Sequence, residues 1–210
     1  QLSHIVTSLG YDIGFLVDAG AEKIFIVDEN GDFIHNDRLL TLVTFLYLSV
    51  NPDIKNIAVP ITASAEVDLI ARGMGVEVVK TRDSHLSLME ASTSKEVKFV
   101  GGTKGGFIFP DFLFASDGMY SIAKILEMMA LAGKRFGALD QEVPKLHLLR
   151  STVHCPWERK GKVMRYMMHE TEGMRRVLID GIKVFFDKEA PSTSVLIWPD
   201  RAKPVFHVHA

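Results

Sequence analysis

A single cysteine, Cys155, leaves no possibility of an internal disulfide framework. Basic charge is not in excess either: 24 Lys and Arg stand against 26 Asp and Glu, and the formal net charge of -2 argues against a general nucleic-acid binder. Long apolar runs are missing as well. The most apolar helix candidate, Leu39 to Val50, is interrupted by Thr41, Thr44 and Ser49 and falls short of the about 20 residues that a bilayer requires, so no membrane partner is expected. Internal repeats and low-complexity segments are also lacking. What is present is 47% hydrophobic content over 210 residues, enough to bury a substantial core as one large or two modest domains. These features predict a soluble protein of a reducing, cytoplasmic compartment.

The stretch Ile13 to Arg38, IGFLVDAGAEKIFIVDENGDFIHNDR, organises the rest. It reads as an apolar strand (Ile13 to Val17), a six-residue loop (Asp18 to Lys23), a second apolar strand (Ile24 to Val27) and a turn from Asp28 to Gly31 punctuated by Asn and Gly. Before it, Leu2, Ile5, Val6 and Leu9 form a short amphipathic piece ended by Gly10, the tail of a helix. So abrupt a start before a buried strand pair predicts a fragment of a longer polypeptide.

From Asn36 onward the pattern alternates. Asn36 or Asp37 is expected to cap a helix to about Val50 that is apolar nearly all round, as a buried helix is. Strands are expected at Ile57 to Pro60, Val76 to Val79 and Val97 to Val100, with helices between them from Ser64 and from about Asp83 to Ser92. Such alternation implies a parallel sheet with right-handed crossovers. The glycine loop Gly101 to Gly106 feeds a further strand, and Ser116 or Asp117 caps a long helix ended by Gly133, Lys134 and Arg135. Residues 137–145 read as a linker. Beyond it come a strand around Leu146 to Val153, a helix from about Arg159 to Glu170, and strands at Val177 to Phe186, Ser194 to Trp198 and Val205 to His209. The fold class is therefore a parallel-sheet α/β domain with crossover helices followed by a small α+β C-terminal domain. Its expected divisions are 1–35 as the end of a truncated α/β domain, 36–136 as the α/β domain and 146–210 as the α+β domain.

Several residues carry chemistry. Asp18 and Glu22 stand at the mouth of a loop between buried strands, where a hard cation such as Mg²⁺ would require oxygen ligands in near-octahedral array. In GGTKGGF (Gly101 to Phe107) the backbone amides of Gly102, Thr103 and Gly105 can face a ligand and Lys104 can pair with a phosphate, although glycines there also suit a bare tight connection. In WPDRAKP (Trp198 to Pro204), Arg201 and Lys203 supply positive charge and Asp200 opposes it; exposed Arg and Lys are also commonly just solvated. His85, in KTRDSH, is expected on a helix surface. Cys155 and Trp157 are expected in the α+β core, Arg159, Lys160, Lys162 and Arg165 on a basic helix face, and His207 with His209 on one side of a strand without a third metal ligand.

These motifs, read together, resemble the phosphohexomutases, the phosphoglucomutase and phosphomannomutase family, over almost the whole chain. In that family the loop matching Asp18 to Lys23 holds Mg²⁺ with three Asp; Asp18 keeps the first, Gly20 replaces the second, Glu22 stands for the third and Lys23 for the following Arg. The resemblance therefore implies a degenerate metal position, expected to be empty in this chain. The glycine loop matches a sugar-binding GGExSGH, with Thr103 for Glu, Gly105 for Ser and Phe107 for His, WPDRAKP matches the phosphate-binding RPSGTEP, and the resemblance implies a substrate-facing role for His85, which matches a residue after the family's KTG-like motif. HCPWERKGKVMR (His154 to Arg165) and WPDRAKP are similar to a subfamily in which the mutase-like region follows a nucleotidyltransferase, the bifunctional mannose-1-phosphate guanylyltransferase/phosphomannomutase-like proteins.

Family chemistry moves a phosphoryl group on a hexose through a phosphoserine on a first domain, and no matching segment occurs here. The resemblance thus implies the C-terminal phosphohexomutase-like portion of a sugar-phosphate or sugar-nucleotide enzyme, inactive alone, with a weakly held hexose phosphate, the rest of the parent polypeptide and a homo-oligomer as partners. The alternatives are a structural or regulatory oligomerisation module of a nucleotidyltransferase, and part of an active phosphomannomutase or phosphoglucomutase. Lys104, Arg201 and Lys203 would then face one cleft.

Overall fold

The computed structural model describes residues 1–186 and 193–210, which fall into two compact units, 1–145 and 146–210. The first begins with helix α1 (Leu2–Leu9), closed by Gly10 in the left-handed region at φ 66°. Strands β1 (Ile13–Val17), β2 (Ile24–Asp28) and β3 (Phe33–Ile34) follow as an antiparallel sheet in that order. The turn between β2 and β3 is held by Asp28, whose Oδ1 accepts the N–H groups of Asn30 (3.0 Å) and Asp32 (2.8 Å). Gly31 takes φ 87° there, a conformation that costs glycine little.

The chain then alternates through α2 (Asn36–Val50), β4 (Asn56–Pro60), α3 (Ala65–Gly73), β5 (Glu77–Thr81), α4 (His85–Ser92), β6 (Val97–Gly101), β7 (Phe107–Ile108) and α5 (Gly118–Ala132). The sheet order is β5-β4-β6-β7, with β4 parallel to both β5 and β6 and β7 antiparallel at the edge, so the α/β class with crossover helices holds. Ser64, Ser84 and Asp117 cap α3, α4 and α5 by accepting the N–H groups of Glu66, Ser87 and Tyr120. The cap of α2 differs from expectation: His35 occupies it without a side-chain bond, and Asn36 and Asp37 lie in the first turn, where the Asp37 charge suits the positive end of the helix dipole.

Two hydrophobic clusters fill this unit, a small one of Ala58, Leu88, Val97, Val100 and Ile108 and a much larger one. The larger joins Ile24, Ile26 and Ile34 of the antiparallel sheet to Leu39, Leu42 and Leu46 of α2, Phe99 and Phe107 of the mixed sheet, and Ile125 and Met128 of α5. The strands within 1–35 therefore share a core with 36–136. The expected linker is not one. Residues 136–142 form helix α6 (Phe136–Glu142), which buries Phe136, Leu139 and the following Val143 at i, i+3 and i+7, a spacing hidden in sequence by the polar residues around it.

The second unit is an antiparallel sheet, β8-β12-β11-β10-β9, with one helix. It comprises β8 (Arg150–His154), α7 (Trp157–Glu170), β9 (Arg176–Val177), β10 (Ile182–Phe185), β11 (Ser194–Pro199) and β12 (Val205–His209), the small α+β arrangement expected. The single strand expected over 177–186 is two. Asp180 turns at φ 57°, and Gly181 passes so close to β11 that a Cβ would lie 2.2 Å from the Ile197 carbonyl oxygen. Cys155 is buried as expected, but Trp157 is 50% exposed, with the Lys160 ammonium over its ring at 3.8 Å.

Candidate functional site

Loop 18–23 folds around its first carboxylate. Asp18 Oδ1 accepts the N–H groups of Glu22 (2.8 Å) and Lys23 (3.0 Å), while Oδ2 pairs with the Lys23 ammonium at 3.5 Å. The Lys23 N–H does most to hold the Asp18 carboxyl below its ordinary range; burial opposes it. Asp18 therefore points back into its own loop. With Gly20 contributing no side chain and both Asp18 oxygens engaged within the loop, the residues present do not fit Mg²⁺, which takes oxygen ligands in near-octahedral array. Among the described residues, no group of three or more His, Cys, Asp or Glu gathers as a metal site.

Two backbone bonds sew this loop to its neighbours. The Ile24 N–H donates to the Gly105 carbonyl (2.9 Å), and the Gly118 N–H donates to the Ala21 carbonyl (2.6 Å). Gly105 sits at φ 85°, and a Cβ on it would lie 2.4 Å from the Ile24 carbonyl oxygen, so only glycine fits. Within the glycine loop, the Gly102 N–H donates to the Gly106 carbonyl at 2.8 Å. The loop thus turns over the carboxyl end of β6, on the edge of the sheet at which β5 also ends and Ser84 caps α4. Carboxyl ends of parallel strands are where open α/β sheets bind ligands.

These elements border a half-open pocket of about 210 Å³ whose wall mixes polar groups with apolar surface. Gly102, Thr103 and Lys104 line it from the glycine loop, His85 and Ser84 from the start of α4, and Glu22 from the first loop. Of the residues singled out in sequence, Glu22, His85, Gly102, Thr103 and Lys104 are brought together. Asp18 and Gly105 are not among its walls; they shape the two loops that form it. Lys23, Asp83, Ser84 and Ser116 also line the pocket and were not singled out as ligand residues. The signal for Ser84 and Ser116 was their position at or just before helix caps, which places a hydroxyl at a helix start.

Arg201 and Lys203 lie in the second unit, in the β11–β12 hairpin. The Arg201 guanidinium pairs with Asp180 at 2.9 Å. Asp200 Oδ1 accepts the N–H groups of Ala202 (2.7 Å) and Lys203 (2.8 Å), and its Oδ2 lies 2.8 Å from His207 Nε2. The His207 hydrogen bond, then the Ala202 N–H, hold the Asp200 carboxyl down at about 2. His207 and His209 share a side of β12, both against the Trp198 ring, and burial lowers His209 to about 4, with the charges of Arg150, His207 and Lys183 adding to it. Lys160, only 8% exposed, donates its ammonium to the carbonyls of Asp200 (2.5 Å) and Lys203, so one member of the expected basic helix face is a buried brace.

A family model described as phosphoglucomutase/phosphomannomutase, alpha/beta/alpha domain III, matches residues 35–146, more than half of the 210. A phosphoglucomutase/phosphomannomutase of Thermococcus kodakarensis is 34% identical over 184 residues, covering 87% of this chain and 40% of that protein. A probable phosphoglucosamine mutase of Pyrococcus abyssi is 30% identical over 212 residues, covering 99% and 46%. The structure of a phosphoglucomutase/phosphomannomutase family protein from Burkholderia thailandensis superimposes with a TM-score of 0.77 at 22% identity, covering 98% of this chain and 43% of that one. An Aspergillus fumigatus N-acetylphosphoglucosamine mutase in complex with GlcNAc-6P and magnesium shares the fold at a TM-score of 0.60 and 10% identity, covering 93% and 47%. The chain spans less than half the length of the curated relatives it matches.

Proposed function

Since the chain belongs to the phosphoglucomutase/phosphomannomutase family, we propose that it is the C-terminal phosphohexomutase-like portion of a sugar-phosphate enzyme, binding a hexose phosphate weakly and performing no phosphoryl transfer by itself. The observation that carries this is the convergence of His85, Thr103, Lys104 and Glu22, from three separate stretches, on one pocket at the carboxyl ends of β5 and β6. Its donors and acceptors suit sugar hydroxyls, and the Lys104 ammonium suits a phosphate oxygen. No mannose 1-phosphate to mannose 6-phosphate conversion is expected from the purified chain with a bisphosphate primer present.

Mannose 1-phosphate should bind with a Kd of about 1 mM, roughly 4 kcal/mol, and should weaken as salt is added, because the charges are near the surface. Chemical-shift mapping at low ionic strength is the test: amides of 84–85 and 102–106 should move. Lys104→Ala should weaken binding about tenfold, as losing one charge-assisted hydrogen bond does. If those amides stay still, the pocket has no sugar-phosphate role.

Mg²⁺ should bring no saturable heat in a calorimetric titration at millimolar concentration. Asp18→Ala should instead speed hydrogen exchange at the Glu22 and Lys23 amides, which lose their acceptor. Saturable Mg²⁺ binding that disappears in Asp18→Ala would reverse this reading. The self-satisfied carboxylates of Asp18 and Asp200 suit a loss of ligand binding and so leave room for a second reading, a structural or regulatory oligomerisation module of a nucleotidyltransferase, which predicts no pocket response at all.

A further inference from the structure

We propose that the hairpin loop 200–204 is an anion nest built around a resident anion of its own, the Asp200 carboxylate, which shuts phosphate out of this loop. Successive backbone N–H groups pointing to one place form an anion-binding concavity. Here the N–H groups of Ala202 and Lys203 converge on Asp200 Oδ1, and the imidazole of His207 meets Oδ2. The other cation of the loop tip, Arg201, is engaged by a second carboxylate of the same unit, Asp180. An incoming phosphate would have to displace a covalently tethered carboxylate and then lie against its charge.

The shape of the loop has a second source. The Lys160 ammonium holds the carbonyls of Asp200 and Lys203, the Asp200 N–H donates to the Val205 carbonyl (3.0 Å), and the Val205 N–H donates to the Lys203 carbonyl (2.8 Å). None of these bonds uses the Asp200 side chain. Removing the carboxylate should therefore leave the two amides and His207 in place with no anion between them, beside the exposed Lys203. The inference goes beyond the pocket of the first unit and does not rest on it, since its probe is inorganic phosphate and its reporters are in the second unit.

The experiment is a phosphate titration of the full chain followed at the Ala202 and Lys203 amide resonances. In the wild type they should not move. In Asp200→Ala they should shift saturably, with apparent affinity at least about tenfold above any wild-type response, and Asp200→Asn, which keeps a neutral acceptor of the same shape, should fall between. Saturable shifts at these amides in the wild type would overturn the proposal. So would an Asp200→Ala chain whose β11 and β12 resonances are intact and which takes up no phosphate. Where Asp200→Ala disturbs the hairpin, Asp200→Asn decides: a response equal to wild type refutes the resident-anion role.

Discussion

Arg38→Met should cost the chain about 3–5 kcal/mol of stability, the loss seen when one partner of a buried ion pair is removed. Arg38 ties three helices together. Its Nε donates to Asp140 Oδ1 at 2.7 Å, Nη1 to Glu66 Oε2 at 3.0 Å and to the Pro144 carbonyl at 2.9 Å, and Nη2 to the carbonyls of Asp140 (2.9 Å) and Val143 (2.6 Å). The side chains of Arg38, Glu66 and Asp140 are 14%, 9% and 21% exposed, so this is no surface pair screened by water. Methionine fills similar volume but leaves two carboxylates facing each other and three carbonyls without this donor. Both tryptophans, Trp157 and Trp198, lie in the second unit, so the transition is followed by hydrogen exchange at α2 and β4 in the intact chain. A loss below about 1 kcal/mol, the worth of an exposed pair, would show the clamp to be dispensable.

The same cluster sets an acid limit. Burial pushes the Asp140 carboxyl up, but the hydrogen bonds from Arg38 and Lys145 outweigh it and leave it below the ordinary carboxylate range. A carboxyl lowered in the folded state stabilises above its unfolded pKa, and that contribution is lost as pH falls through the lowered value. Exchange protection at α2 should therefore decline below about pH 4, near the unfolded carboxylate pKa, and Arg38→Met should flatten that decline.

Gly105→Ala should cost about 2–4 kcal/mol and abolish hexose-phosphate binding together. Left-handed backbone alone charges a non-glycine residue about 1–2 kcal/mol. The remainder comes from contact: a Cβ would meet the Ile24 carbonyl oxygen at 2.4 Å, a backbone atom that cannot rotate away, and relieving it breaks the bond from the Ile24 N–H to the Gly105 carbonyl. That bond positions the loop carrying Thr103 and Lys104. Gly133→Ala is the control, since Gly133 has φ 64° but open space where its Cβ would stand, so only the backbone cost applies and the pocket should still respond to mannose 1-phosphate. If the two variants lose equal stability and both keep binding, the suture between β2 and the glycine loop does not shape the site.

Local order was largely legible in the residues. Period and punctuation placed β1, a helix start at Ser64, the α5 cap at Ser116 or Asp117, of which Asp117 is the one used, and the helix ends at Gly10 and Gly133, because these depend on neighbours within a turn or two. The family resemblance pointed to Glu22, His85, Thr103 and Lys104 separately. Two misreadings share a cause. Helix α6 reads in the sequence as a linker and β9–β10 as a single strand because their boundaries are decided by distant partners: the core under Phe136 and Leu139, and the close passage of Gly181 along Ile197.

The sequence by itself determined the class of most elements, the alternation that makes β4, β5 and β6 parallel, and the supply of charged residues to the loops. Only the tertiary structure decided what those charges do. Asp18 and Asp200 read as a ligand residue and a repulsive neighbour, yet each folds back onto amides of its own loop, since a carboxylate within reach of two N–H groups satisfies them without the entropy of recruiting an ion. Lys160 read as part of a basic helix face and Arg38 as part of a helix start, and both are held in place by backbone carbonyls that the fold brings from 40 to 106 residues away. Hydrogen-bond partners at such separations leave no periodic trace, because side-chain charge is written in the chain and its partner is chosen by packing.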